Sequence, residues 1–238
     1  MLQRSQTALP AIVFGLVALL SLPGEPLATP ASQAAAAGQP GPRAFEKDQD
    51  SANSQLLAAA EPFEALTEQS FSAKPGELDS LISHTEQAAT KASSLLPPAA
   101  KSDLERRVGE IVAAKNKRER SAVALAAVER YRILVTAAQD TKIPTAVSLL
   151  DYSGFRYDTD LKSQPSRWAD MQAATDFGRQ QWASISGQVT DVKLKNKFDA
   201  ALQRMAAATS SKSAAGARSA IRAELNLVDK LEAYFNRS

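Results

Sequence analysis

Six residues combine charge, hydroxyl and aromatic chemistry at spacings that could gather them at one site. They are Tyr131, Arg132, Asp151, Tyr152, Arg156 and Trp168. The first two lie near the end of one predicted helix, and the next three lie on the helix that follows a short turn. If these helices are antiparallel neighbours, Arg132 comes close to Asp151 or Tyr152. One hypothesis is therefore a polar pocket for a small anion in the groove that these helices form with the next one.

The same charges also have a structural interpretation, which their pattern favours. A partly buried Arg–Asp pair is costly unless it is fully hydrogen-bonded, so it fixes the register of two helices more than it stabilises them. On this interpretation the six residues form ion pairs and packing contacts, and they bind no ligand.

The stretch from residue 148 to residue 182 is rich in aromatic residues and holds both tryptophans. On its first helix, Leu150 and Tyr157 share one face, whereas Tyr152 and Phe155 lie on another, which predicts burial on both sides. On its second helix, one seam holds Trp168, Met171, Thr175, Gly178, Trp182 and Ile185. Aromatic seams at helical spacing are usually core, so packing is favoured over space for a ligand.

The chain has one histidine, His84, and no cysteine. The absence of cysteine excludes a thiolate zinc site, a covalent c-type haem and an iron–sulfur cluster. Two alternatives to a binding protein stay open. One is an enzyme whose site of carboxylates, or of His84 with a carboxylate, is assembled only by the fold. The other is a noncovalent haem held between His84 and Met171 or Met205. The sequence assigns no catalytic residue, metal ligand or cofactor.

The densest cluster of positive charge is Lys115, Lys117, Arg118 and Arg120. It could touch an anionic lipid surface or an acidic partner, but Glu119 interrupts it and no aromatic residue is interleaved. A solvated helix face is therefore the favoured interpretation. The net charge of the chain is +2, which gives no argument for a nucleic-acid partner.

The N-terminal region has the pattern of a secretory signal peptide, predicted over residues 1–37. Arg4 precedes an apolar run over residues 8–22, and Ala34 to Ala37 supply small residues where a signal peptidase cleaves. We expect export to the periplasm or the cell exterior, with an uncleaved anchor as the alternative. No later segment is apolar for long enough to span a bilayer, so no membrane span is expected after signal removal.

Residues 38–50 contain Gly and Pro breakers and several charges, which predicts a flexible linker before a helical domain over residues 51–238. Predicted helices cover residues 51–71, 77–96, 99–138, 144–162, 166–186, 191–208 and the C-terminus. The third helix could be continuous or could break near residues 116–121, where its apolar stripe lapses.

The chain favours good helix formers and shows no hairpin signal, so the predicted fold is all-α. Short connections favour a single antiparallel up-and-down helical bundle of about six to seven helices. The expected function is that of an exported binding or interaction protein of the cell envelope. Its partner would be an unknown envelope protein or a small anionic ligand.

Overall fold

The computed structural model describes residues 42–139 and 141–237, with side chains from residue 49 onward. The predicted signal peptide, residues 1–37, lies outside the described residues. The helices are α1 (Pro42–Gln69), α2 (Pro75–Ala92), α3 (Pro98–Asn116), α4 (Arg120–Ala137), α5 (Thr145–Lys162), α6 (Trp168–Ile185), α7 (Val192–Ser210) and α8 (Ala214–Arg237). The all-α prediction is confirmed, and the described part of the chain holds one or two helices more than predicted.

The first helix begins earlier than the sequence predicted. α1 begins at Pro42, so residues 42–50 of the predicted flexible linker are helical. Pro42 suits the first position of a helix because the missing N–H would have no partner there. No Gly or Pro lies between Pro42 and residue 51, so nothing in this stretch ends the helix.

The long third helix of the sequence prediction is two helices, broken where its apolar stripe lapses. Arg118 adopts the left-handed conformation, with a φ of 60°, between α3 and α4. The next helix begins at Arg120, whose Nη1 donates hydrogen bonds to the carbonyl oxygens of Ser70 at 2.7 Å and Ala73 at 2.8 Å. The break thus lets a basic side chain satisfy carbonyl groups just beyond the end of α1, which helix geometry leaves without partners.

Two of the four residues in the basic cluster have partners within the protein. Besides Arg120, Lys115 pairs with Asp79 of α2, with 2.6 Å between Nζ and Oδ1. These contacts tie the end of α3 to α2 and the start of α4 to α1.

The helices pack antiparallel in two groups of four, joined where α4 meets α5. In the first group, α1 contacts α2 and α4, and α3 contacts the same two helices. In the second group, α5 contacts α6 and α8, and α7 contacts the same two helices. The antiparallel packing that the sequence predicted is confirmed, and α1 to α8 belong to one compact unit. Helices α4 and α5 join the two groups because they have apolar residues on more than one face.

Helix α5 contributes to the cores of both groups, as its two-faced pattern predicted. Leu150 and Tyr157 are buried in the core of α5–α8, whereas Tyr152 and Phe155 are buried in the core of the first group. The seam on α6 is also core. Trp182 stacks on Phe198 of α7, with 4.5 Å between ring centroids. Among the helices described, none is both long and apolar enough to cross a membrane.

Candidate functional site

Three of the six predicted site residues meet at a carboxylate that the sequence analysis missed. Tyr152 Oη donates a hydrogen bond to Glu129 Oε1 at 2.7 Å, and Arg156 pairs with the same oxygen. Arg132 Nε donates to Glu129 Oε2 at 3.1 Å. The Arg132 guanidinium also lies 5.7 Å from the centroid of the Tyr152 ring. We call Glu129, Arg132, Tyr152 and Arg156 the Glu129 network.

The carboxylate at the centre of the Glu129 network is well paired. Burial by itself would raise the pKa of the Glu129 carboxyl. The hydrogen bond from Tyr152 and the charges of Arg132 and Arg156 outweigh burial, so the pKa is lowered. A small anion placed between these donors would have to displace Glu129. The arrangement is therefore that of a structural ion-pair network.

The network continues along α5 to the start of α6. Arg156 Nε donates a hydrogen bond to Asp160 Oδ2 at 3.2 Å, and Arg167 Nη1 lies 3.5 Å from Asp160 Oδ1. Burial raises the pKa of Asp160 to about 6, against the opposing charges of Arg156 and Arg167. These contacts connect α4, α5 and α6 at one surface of the molecule.

Two further predicted residues, Tyr131 and Asp151, lie in a different place. Tyr131 lines a cavity of about 250 Å³ between α1, α4, α5 and α8, together with Glu61, Glu64 and Glu232. Asp151 is nine-tenths buried beside Tyr131 and within electrostatic reach of Glu64 and Glu232. We call this cavity and Asp151 the acidic pocket. Its other walls include the apolar residues Leu57, Ala60, Val135, Ala138 and Ile143.

Burial, followed by the charges of nearby carboxylates, raises the pKa values of Glu64 and Asp151 in the acidic pocket. Burial, followed by the charges of Glu68 and Glu232, raises the pKa of Glu64 to about 7. Burial raises the pKa of Asp151 well above its ordinary value, and the largest charges acting on it are carboxylates, led by Glu232. Burial and the charge of Asp151 raise the pKa of Tyr131, which therefore stays a neutral hydroxyl.

Glu224 of α8 is another buried carboxyl. Its charge acts on Asp151, and its side chain packs against Gly154 of α5. The Glu224 side chain is fully buried, and neither of its oxygens has a hydrogen-bond partner among the described residues. Burial raises its pKa well above the ordinary value, because removal from water disfavours the charged form. A Cβ atom on Gly154 would lie 2.5 Å from Glu224 Oε2, so the glycine provides the room for this acid.

The first group of helices also contains a buried charge. The Arg130 side chain is fully buried on α4, and its Nε and Nη2 make no hydrogen bond with the described residues. Its guanidinium lies 5.5 Å from the centroid of the Phe63 ring. Burial lowers the pKa of Arg130 to about 9. No sequence pattern distinguished this arginine from the exposed ones nearby.

The remaining predicted residues lie away from both clusters. Trp168 is half-buried at the start of α6, packed against the core of the second group. His84 is exposed and lines a groove between α1 and α2, whereas Met171 and Met205 are fully buried in the core of α5–α8. These positions argue against His84 and either methionine as axial ligands of one haem.

The missed residues differ in the signal that the sequence offers for them. Glu129 precedes Arg132 by three residues on one helix, a spacing at which side chains meet, so this pair was detectable. Glu64 and Glu232 come from helices near opposite ends of the described chain. Their convergence with Asp151 depends on the packing of α1 and α8 against α4 and α5, which no local pattern encodes.

Known proteins offer no relative from which a role could be carried over. No protein family matches the chain, and no curated protein or solved structure is significantly similar to it. Within residues 42–139 and 141–237, no group of three or more His, Asp or Glu side chains has an arrangement that could hold a metal ion.

Proposed function

We propose that the protein is an exported binding protein of the cell envelope whose acidic pocket takes a small organic cation, such as a primary amine. One observation carries the proposal. Glu61, Glu64 and Glu232 line one cavity, and the charges of Glu232 and Glu64 also act on the buried Asp151 nearby. Export is supported by the signal-peptide pattern of residues 1–37.

A protonated amine fits the acidic pocket in both charge and shape. Its positive charge would offset the repulsion that raises the pKa of Glu64, and its N–H groups would donate to carboxylate oxygens. The apolar walls would cover a short carbon chain, and the ring of Tyr131 offers a face to a cation. A cavity of about 250 Å³ has room for a few heavy atoms. An anion would be repelled by the same carboxylates.

Calorimetric titration of the protein without residues 1–37 tests the proposal, with putrescine as the probe. We expect binding at about pH 8 and clear weakening at about pH 5.5, because the raised pKa of Glu64 means that it is protonated there. Glu64→Gln and Glu232→Gln should each weaken binding by about tenfold, the equivalent of 1.4 kcal/mol.

Glu105→Gln is the matched control, because it removes one carboxylate from the exposed face of α3. It should leave the affinity unchanged. If the wild-type protein does not bind putrescine at about pH 8, or if Glu105→Gln weakens binding as much as Glu64→Gln, an organic-cation site is ruled out.

The location is tested separately. Fractionation of the native host should place the protein outside the cytoplasm, and N-terminal sequencing should find a start near residues 34–38. A full-length protein in the cytosol would contradict export and leave the pocket chemistry untouched.

A second candidate function uses the same pocket. An acid–base enzyme needs a group with a pKa near the working pH, and Glu64, with a pKa of about 7, has this property. The fate of a bound amine separates the two candidates. Recovery of the amine unchanged after prolonged incubation supports a binding protein, whereas its conversion would support an enzyme.

A further inference from the structure

A second cleft, of about 510 Å³, lies between the end of α5, the α5–α6 connection and α8. Its charged residues are Asp158, Lys162, Arg218 and Arg222. We call it the basic cleft. It shares no lining residue with the acidic pocket, so its function does not depend on the proposed binding of a cation.

Two arginines of the basic cleft have no counter-charge among the residues that the structure describes. Arg218 and Arg222 are exposed and lie one turn apart on α8, and neither forms an ion pair with another residue of the described chain. Like charges at this spacing repel each other. The one acidic residue lining the cleft is Asp158, and its Oδ2 is already 2.6 Å from Lys162 Nζ.

We infer that the basic cleft binds the phosphoryl group of a small phosphomonoester. Three cations and one carboxylate leave two positive charges in the cleft, which match the charge of about −1.5 to −2 on a phosphomonoester at neutral pH. The planar guanidinium groups of Arg218 and Arg222 suit bidentate contacts with phosphate oxygens.

The rest of the cleft suits an organic group attached to the phosphate. Its apolar lining residues are Leu161, Ile221 and Leu225. Gln164 supplies an exposed side-chain amide, which can donate to an oxygen of the ligand. The hydroxyl groups of Ser163 and Ser166 already donate to the carbonyl oxygens of Thr159 and Leu161, so they hold the connection in place.

Calorimetry of the protein without residues 1–37 tests this inference, with glycerol 3-phosphate as the probe and glycerol as the uncharged comparison. Glycerol 3-phosphate should bind and glycerol should not. Arg218→Gln and Arg222→Gln should each weaken binding about tenfold or more, because each removes a charge-assisted hydrogen-bond donor.

Arg204→Gln is the matched control, since Arg204 is exposed on α7 and lies outside the basic cleft. It should leave the affinity for glycerol 3-phosphate unchanged. An equal loss in Arg204→Gln would show a non-specific charge effect and overturn the inference, as would a failure of the wild-type protein to bind the probe.

Vesicles distinguish the possible sources of the phosphoryl group. Binding to phosphatidylglycerol vesicles with no binding of soluble glycerol 3-phosphate would identify a membrane-surface contact and overturn a small-molecule site. Binding of the soluble ester with equal or weaker binding to these vesicles supports the small-molecule site.

Discussion

The Glu129 network and the acidic pocket draw on the same two helices and differ in whether their charges are paired. In the network, Glu129 has two arginines and a tyrosine hydroxyl as partners, and its pKa is lowered. In the pocket, Glu64 has carboxylate neighbours, and its pKa is raised to about 7. Paired charges hold α4 and α5 in register, whereas charges without counter-ions are the ones available to a ligand.

The difference arises from helix geometry. Successive residues of an α-helix point about 100° apart, so neighbours in sequence serve different faces. Tyr131 lines the acidic pocket while Arg132 joins the network, and Asp151 and Tyr152 separate in the same way. Residue type alone therefore does not decide which polar residues of a two-faced helix form a site.

The largest effect is expected when the network loses its centre. Glu129→Gln keeps the size of the side chain but leaves Arg132 and Arg156 without their shared carboxylate. We expect the free energy of unfolding to fall by about 2–3 kcal/mol, because a buried ionic partner is removed and the arginines stay. Urea denaturation at neutral pH measures the change. A loss no larger than that in Glu105→Gln would contradict the structural role of the network.

The second effect concerns the close packing around the unpaired acids. Gly154→Ala places a methyl group about 2.5 Å from Glu224 Oε2 and 2.6 Å from Leu225 Cδ2. We expect a loss of about 1–3 kcal/mol, because the fully buried Glu224 side chain and Leu225 must both shift to admit the methyl group.

Gly109→Ala is the matched control for this packing effect. Gly109 lies on the exposed face of α3, and a Cβ atom there meets nothing within 4 Å. The substitution should stabilise the protein by about 1 kcal/mol through helix propensity alone. If Gly154→Ala and Gly109→Ala change the thermal stability in the same direction, close packing of α8 against α5 is contradicted.

A smaller effect of opposite sign is expected in the acidic pocket. Glu64→Gln removes one of several mutually repelling carboxylates. At about pH 8 we expect stabilisation of roughly 1 kcal/mol, a modest value because Glu64 is partly exposed and solvent screens its charge. Urea denaturation of Glu64→Gln and Glu129→Gln under the same conditions compares the two clusters directly. If both variants are less stable than the wild-type protein, the distinction between paired and unpaired clusters is contradicted.

The two clusters are also expected to change the stability of the protein in opposite directions as the pH rises. The pKa of Glu64 is raised from 4.5 to about 7, so its contribution to stability is lost as the pH rises through this window. The pKa of Glu129 is lowered, so its contribution is lost as the pH falls below 4.5. The wild-type protein should be most stable near pH 5, at about the junction of these windows.

Single variants separate the limbs of this profile. Glu64→Gln should flatten the decline above about pH 5, and Glu129→Gln should flatten the decline at acid pH. Urea unfolding measured across this range checks both. A wild-type profile that rises steadily from about pH 5 to pH 8 would contradict the unpaired state of the pocket.

The sequence predicted the fold class and the two-sided burial of α5, and it offered a break near residues 116–121 as one of two alternatives, because each has a local signal. The periodicity of apolar residues, and any interruption of it, shows which faces of a single helix are buried. The start of α1 was predicted nine residues late because the Gly and Pro residues before Pro42 and the charges after it were together interpreted as a flexible linker. The division into two groups of four depends on which helices pack against each other across the fold. Short connections between helices do not specify this packing.

The site was predicted less completely. Arg132, Tyr152 and Arg156 do meet, but around a carboxylate that the sequence analysis did not include. Tyr131 and Asp151 do lie together, but with carboxylates from α1 and α8. The charge around Tyr131 and Asp151 was therefore set by residues distant in sequence, and we propose a cation there in place of the anion that the sequence suggested.

The most direct test of this account is the ionisation of Glu64 itself. Carbon-detected NMR titration of labelled protein follows its side-chain carboxyl, with and without putrescine. We predict a pKa of about 7 in the free protein, falling when the amine binds, because a cation stabilises the charged carboxylate. A pKa near the ordinary 4.5 that putrescine does not change would contradict an unpaired acidic pocket.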